Sequence, residues 1–157
     1  MNVSANLRAG FAALLVLTIA CGGDTPAPAG RDAAEQASAA QEPGSVSVTI
    51  LEPVQGAELE GGLVTVRLSA SGVNIVPAGD MTPGTGHHHL YLDEGLGAVG
   101  VPVPAIPGQV IHLGTGVSEY AFQDVAPGPH QLIAVVGDGL HVPLQPWVVD
   151  TVTFTVR

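Results

Sequence analysis

Apolar and polar positions alternate along most of the chain after Ser45. "SVSVTIL" places Val46, Val48 and Ile50 on one face, and "GLVTVRLSA" repeats the pattern. "HHHLYLD", "QVIHLG" and "SEYAFQDV" are three more short candidates, and "APGPHQLIAVVGD" is a turn running into a strong strand. In "WVVDTVTFTVR", Val149, Thr151, Thr153 and Thr155 alternate against Val148, Asp150, Val152, Phe154 and Val156. Such a period of two marks strands with one face in a core, because successive side chains leave the pleat on opposite sides. "VGVPVPAI" is broken by proline, which has no ladder donor, so it suits an edge or an irregular crossing. "EPVQGAEL" reads as a turn. No segment combines helical periodicity with caps. About seven to eight strands with Gly and Pro turn signals predict an all-β, antiparallel, immunoglobulin-like β-sandwich. It fills residues 45–157 and is large enough for one core.

The pattern before Ser45 is different. "MNVSANLR" carries one positive charge, "AGFAALLVLTIA" is unbroken apolar and small, and Cys21 follows. The apolar run is too short for the roughly 20 residues that span a bilayer, so residues 1–20 read as a signal peptide. "TIAC" resembles a bacterial lipobox, which makes Cys21 the expected lipidation site and the first residue of the mature protein. Residues 21–44 are rich in Ala, Gly, Pro, Ser and acids, with no Val, Leu, Ile or aromatic residue. A stretch that cannot bury apolar surface does not offset its ordering entropy, and it reads as a flexible tether. These features predict a lipid-anchored protein of the bacterial cell envelope, exported across the inner membrane. Gly22 lacks the aspartate associated with inner-membrane retention, which points to the outer membrane or periplasmic face.

Composition then removes several function classes. Cys21 is the single cysteine, so the folded part has no intrachain disulfide, thiolate zinc site or cysteine nucleophile. The chain has four basic residues, none of them lysine, against fourteen acids. That balance repels phosphate backbones and anionic headgroups, which excludes nucleic acid and leaves lipid as the route to a membrane. No Gly-x-Ser-x-Gly elbow and no glycine-rich phosphate loop is present, so no enzymatic activity is expected. Oligomeric state is left open.

The histidines carry the candidate chemistry. Three of the six are consecutive, at 87–89. Strand alternation groups His88 with Leu90 and Leu92 toward the core, where it is expected to be buried and hydrogen-bonded. His87 and His89 then project together from the other face, about 6 to 7 Å apart along the backbone. Two imidazoles at that spacing hold one ion if further ligands close on it, and nitrogen-rich sets suit copper or zinc. His112, whose neighbours Ile111 and Leu113 point the other way, and His141, in the loop "GDGLH", are the candidate closers. Asp138 is a ligand or an orienter of one. His130, beside Leu132 and Ala134, reads as a rim of the core, and Met81 lies in a loop with little to recommend it. Binding through neutral imidazoles is expected to weaken as pH falls through about 6.5.

Several spaced motifs carry a family resemblance. They are Pro77 to Gly79, Gly86 to His89, His112 with Gly114 and Gly116, Gly128 with His130, and Asp138 with His141 and Pro143. Together they resemble the bacterial domain of unknown function family 4399 across nearly all of the folded part. The resemblance implies which residues form a set and assigns no activity to them. The expected function is therefore an envelope lipoprotein that binds copper or zinc through clustered histidines. The alternative is a structural or protein-binding module in which those histidines form a hydrogen-bonded cluster.

Overall fold

In the computed structural model, which describes residues 44–157, the alternating segments become nine strands. These are β1 (Ser47–Glu52), β2 (Ala57–Leu59), β3 (Val64–Ser71), β4 (Asn74–Ile75), β5 (Thr85–Leu92), β6 (Val110–His112), β7 (Glu119–Phe122), β8 (Gly128–Gly137) and β9 (Val149–Val156). The stretch read as a signal peptide, Cys21 and the stretch read as a tether, as far as residue 43, lie outside the described residues. No helix occurs among the described residues, as the absence of helical periodicity predicted.

The strands form two sheets. One is three-stranded, in the order β1-β3-β7, and the other runs β2-β9-β8-β5-β4, with β6 also pairing β5. Val48 and Ile50 of β1, Val64, Val66 and Leu68 of β3, and Phe122 of β7 pack in one cluster with residues of the larger sheet. Those residues are Leu90 and Leu92 of β5, Leu132, Ala134 and Val136 of β8, and Val152, Phe154 and Val156 of β9. This is the predicted all-β sandwich, and period-two burial along β1, β3 and β9 helps build it. A polar tie joins the layers at one edge, where the Ile50 amide donates to Asp150 Oδ2 at 2.7 Å.

Three details differ from the sequence reading. The turn segment "EPVQGAEL" contains β2, which pairs in parallel with the end of β9. The two-residue β4 also pairs in parallel, with the start of β5. The sandwich is therefore antiparallel except at these two short contacts, which are too brief to leave a periodic signal. The third difference matters for the site. The outer face of the larger sheet is covered over β5 and the second half of β8, while β9 leaves Thr151 and Thr153 exposed. Tyr91, Val110, Ile133 and Val135 pack there with Val103, and Leu96, Ile106 and Trp147 close over them from the connecting segments. "VGVPVPAI" belongs to this cover and forms no strand. Strand β5 is consequently buried on both faces from Gly86 to Leu92.

Candidate metal centre

Register places the first two candidate ligands. In β5, His87 lies opposite Gly137 of β8, and His89 lies opposite Val135. On its other edge, His89 is paired with His112 of β6. Because paired residues share a face, His89 and His112 stand side by side on the covered face with His87 two positions away. Their ring centroids are 4.4 Å apart for His87 and His89, and 4.8 Å for His89 and His112. His87 and His89 do leave the main core, as alternation predicts, but neither has any exposed surface.

His141 arrives from a turn. The Asp138 carboxylate accepts from the Leu140 and Val142 amides at 2.8 and 2.9 Å, and its carbonyl accepts from the His141 amide at 2.9 Å. This clasp holds His141 at φ 66°, a left-handed conformation uncommon outside glycine. The His141 carbonyl then accepts from the Val103 amide at 2.8 Å, fixing the turn to the covering segment. Asp138 thus shapes the loop that carries the imidazole. No contact between its carboxylate and the histidine nitrogens was found among the described hydrogen bonds.

The four rings meet at one nitrogen. His141 Nδ1 lies 3.0 Å from His87 Nε2, 3.2 Å from His89 Nε2 and 2.9 Å from His112 Nδ1. His87, His89 and His141 converge mutually, each offering one donor atom within 4.8 Å of the others, and His112 joins through His141. The tautomer of His112 follows from its second nitrogen. Nε2 is 3.0 Å from the Pro104 carbonyl, which can only accept, so Nε2 carries the proton and Nδ1 presents a bare lone pair to His141.

These contacts cannot all be hydrogen bonds between neutral rings. An imidazole nitrogen has either one N–H or one lone pair. If His141 Nδ1 is bare, it faces the His112 lone pair. If it is protonated, it serves His112 and leaves its contacts with His87 and His89 to share that one proton. The nitrogens His87 Nδ1 and His89 Nδ1 are also buried without a partner. The contacts about His141 Nδ1 therefore compete for at most one proton.

Electrostatics favours the neutral, ligating form. Burial, reinforced by His141 and His112, lowers the His87 pKa to about 4, with Asp138 opposing. Burial and the neighbouring histidines push His89 down to about 2. His141 is lowered as well, by burial and by His112, against Asp138. Rings that are neutral at pH 7 have no proton to lose before binding an ion.

The other histidines have different surroundings. His88 points into the main core as expected, but neither ring nitrogen has a hydrogen-bond partner, which corrects the expectation of a bonded residue. His130 rims the core, stacked on Phe154 with centroids 5.4 Å apart. Its Nε2–H donates to the Ala126 carbonyl and its Nδ1 meets Asp93 Oδ2, both at 2.7 Å. Met81 Sδ packs where a Gly139 side chain would go.

Two participants escaped the sequence reading. The Pro104 carbonyl carries no side-chain signal at all. Gly137 does leave one, because it ends the apolar run "LIAVVG" where another branched residue would be expected. A Cβ on Gly137 would sit 2.7 Å from His89 Cε1 and 3.1 Å from its Nδ1, so the missing side chain is the space the ring occupies. The motif segments also close on one another. The Ala78 amide donates to the Gly114 carbonyl at 2.9 Å and the Gly79 amide to the Gly139 carbonyl at 3.0 Å. At Gly139 the Asp80 carbonyl leaves no room for a Cβ.

No curated protein matches this chain. Among solved structures, an engineered protein is similar at a TM-score of 0.42 and 14% identity, covering 74% of this chain and 21% of its own. The extracellular domain of a putative one-component system from B. thetaiotaomicron gives 0.40 and 9%, covering 71% of this chain and 15% of its own. This chain thus spans about a fifth or less of either protein. Residues 66–157 match the family described as domain of unknown function (DUF4399), and they hold His87, His89, His112 and His141 together with the motif segments that pack around them. The chain belongs to the DUF4399 family.

Proposed function

We propose that this domain binds a transition metal ion, copper or zinc, through His87, His89 and His141, with His112 beside them. In this reading it serves as a non-enzymatic lipoprotein of the cell envelope. The observation that carries the reading is the set of three imidazole nitrogens crowded about His141 Nδ1, for which no assignment of protons to neutral rings gives every contact its own hydrogen bond. The lowered pKa values of His87, His89 and His141 support it, since ligating imidazoles must be neutral. Asp138 acts by holding the His141 turn and by its negative charge beside the site. The lipobox-like "TIAC" supports attachment through Cys21, and the acidic composition leaves lipid as the only route to a membrane.

Elemental analysis of the purified mature protein, with calorimetric titration of copper and zinc, tests the reading. One equivalent of ion bound more tightly than about micromolar is the expected result. No bound ion and no such affinity overturns it. The 2.9–3.2 Å spacings also suit a structural cluster in which the three neighbours of His141 Nδ1 share its single proton. A His87→Ala/His89→Ala variant that fails to fold, from a protein that never bound metal, supports that second reading.

A further inference from the structure

His87, His89 and His141 each bring one nitrogen within 4.8 Å of the other two, and His112 falls outside that set. It stands to one side, with ring centroids 4.8 Å from His89 and 4.7 Å from His141. It touches the set through Nδ1, which lies 2.9 Å from His141 Nδ1.

An ion held by the three takes the lone pair of His141 Nδ1, the nitrogen that faces His87 Nε2 and His89 Nε2 at 3.0 and 3.2 Å. A ring nitrogen bound to an ion has no proton to donate. His112 Nδ1 is then a bare acceptor beside the ion, because its Nε2–H is committed to the Pro104 carbonyl at 3.0 Å. Among the described residues, His141 is the hydrogen-bond neighbour of that Nδ1. An acceptor left without a donor away from water is costly, so the donor must come from outside the protein. Zinc held by three protein ligands keeps a fourth position, taken by water or a substrate, whereas structural zinc sites fill all four from the protein. Access agrees with this. His87 and His89 are fully buried, while His112 and His141 are partly exposed, so a small molecule reaches the ion from the side on which His112 stands.

Resting on the metal-binding reading above, we infer that His112 is not a ligand but the hydrogen-bond acceptor for an exchangeable fourth ligand of the ion. That ligand is small and carries a hydrogen on the atom that binds, as water does. A small anion without hydrogen, such as azide, can reach the ion but meets the His112 lone pair. The centre is thus a site that exchanges a ligand with solvent, unlike a closed structural centre. His112 is a positioning residue that sets its preference for ligands bearing a hydrogen.

X-ray absorption of the zinc-loaded wild type needs no variant. Three imidazole nitrogens and one oxygen are expected; four imidazoles overturn the inference while leaving metal binding intact. Cobalt(II) in place of zinc then reports exchange, because its visible bands change with the ligand bound. Azide is expected to alter them in the wild type. His112→Ala is expected to keep three imidazoles on the ion and to bind azide about fivefold more tightly, since the water displaced no longer has a hydrogen bond to lose. Wild-type bands that ignore azide overturn the inference, as does equal azide affinity in the two proteins. A wild type that takes up neither zinc nor cobalt removes the metal-binding reading as well.

Discussion

The His89 ring occupies the volume that a side chain on Gly137 would fill, with Cε1 only 2.7 Å from the position of the missing Cβ. The two residues are not a register pair. Gly137 faces His87, and His89 leans across from the next position on the same face. Gly137→Ala changes no ligand and asks nothing unusual of the backbone, yet it forces a fully buried ring to move. Such overpacking costs about 1–3 kcal/mol, and metal affinity is expected to fall with it. Urea denaturation and calorimetry on one sample measure both; unchanged zinc affinity would mean that the ring position does not matter.

His88 gives the opposite expectation. Both ring nitrogens are buried in the main core without partners. Leaving such a group unsatisfied costs about 1–3 kcal/mol, so His88→Leu is expected to stabilise the fold by a similar amount. Zinc affinity should hardly change, since the side chain points away from the cluster. A lower urea midpoint for the variant would show that His88 makes an essential interaction.

Zinc should stabilise the domain by mass action. At about a hundred times its dissociation constant, an ion bound only by the folded state adds about 2.7 kcal/mol. For a domain of this size that raises the melting temperature by about 10 °C. Thermal melts with and without chelator read this shift, which should vanish in His87→Ala/His89→Ala.

The pH limit of that binding follows from the lowered pKa values. A proton must compete for rings whose folded-state pKa values lie at about 4 for His87 and about 2 for His89. Their neutral forms persist below the ordinary histidine range near 6.5, so zinc should remain bound at pH 5.5 and leave toward pH 4. Release already complete at pH 6 would contradict the burial of these rings.

His130 titrates in the other direction. Burial disfavours its charge, but the hydrogen bonds to Asp93 and the Ala126 carbonyl, with the Asp93 charge, outweigh it and raise the pKa. A raised folded-state pKa means stability that is fully present below about 6.5 and is lost as pH rises through the folded value. Asp93→Asn should flatten this decline. Urea midpoints of the two proteins between pH 6 and 9 check it, and parallel curves would count against the pair.

Much of this site was legible in the sequence, and the residues show why. The period of two that placed Leu90 and Leu92 in the core also placed His87 and His89 together on the opposite face, since alternation is a local property of an extended chain. The same logic made His112 a partner through Ile111 and Leu113. Asp138 was placed in the right loop, although its carboxylate binds backbone amides, a role that a side-chain list does not reveal. His88 was assigned to the correct side but given a hydrogen bond it does not have, because partners in a core come from distant strands.

What the sequence alone determined is therefore the set of strands, the two faces of β5 and the histidines available to one another. Tertiary structure decided which of them meet. The β5–β6 register put His112 beside His89, the Asp138 turn delivered His141 across more than fifty residues of chain, and the covering segments buried the face that alternation alone would have left to water. Alternation fixes the direction of a side chain, whereas its partners depend on strand register and loop closure, which no local pattern encodes.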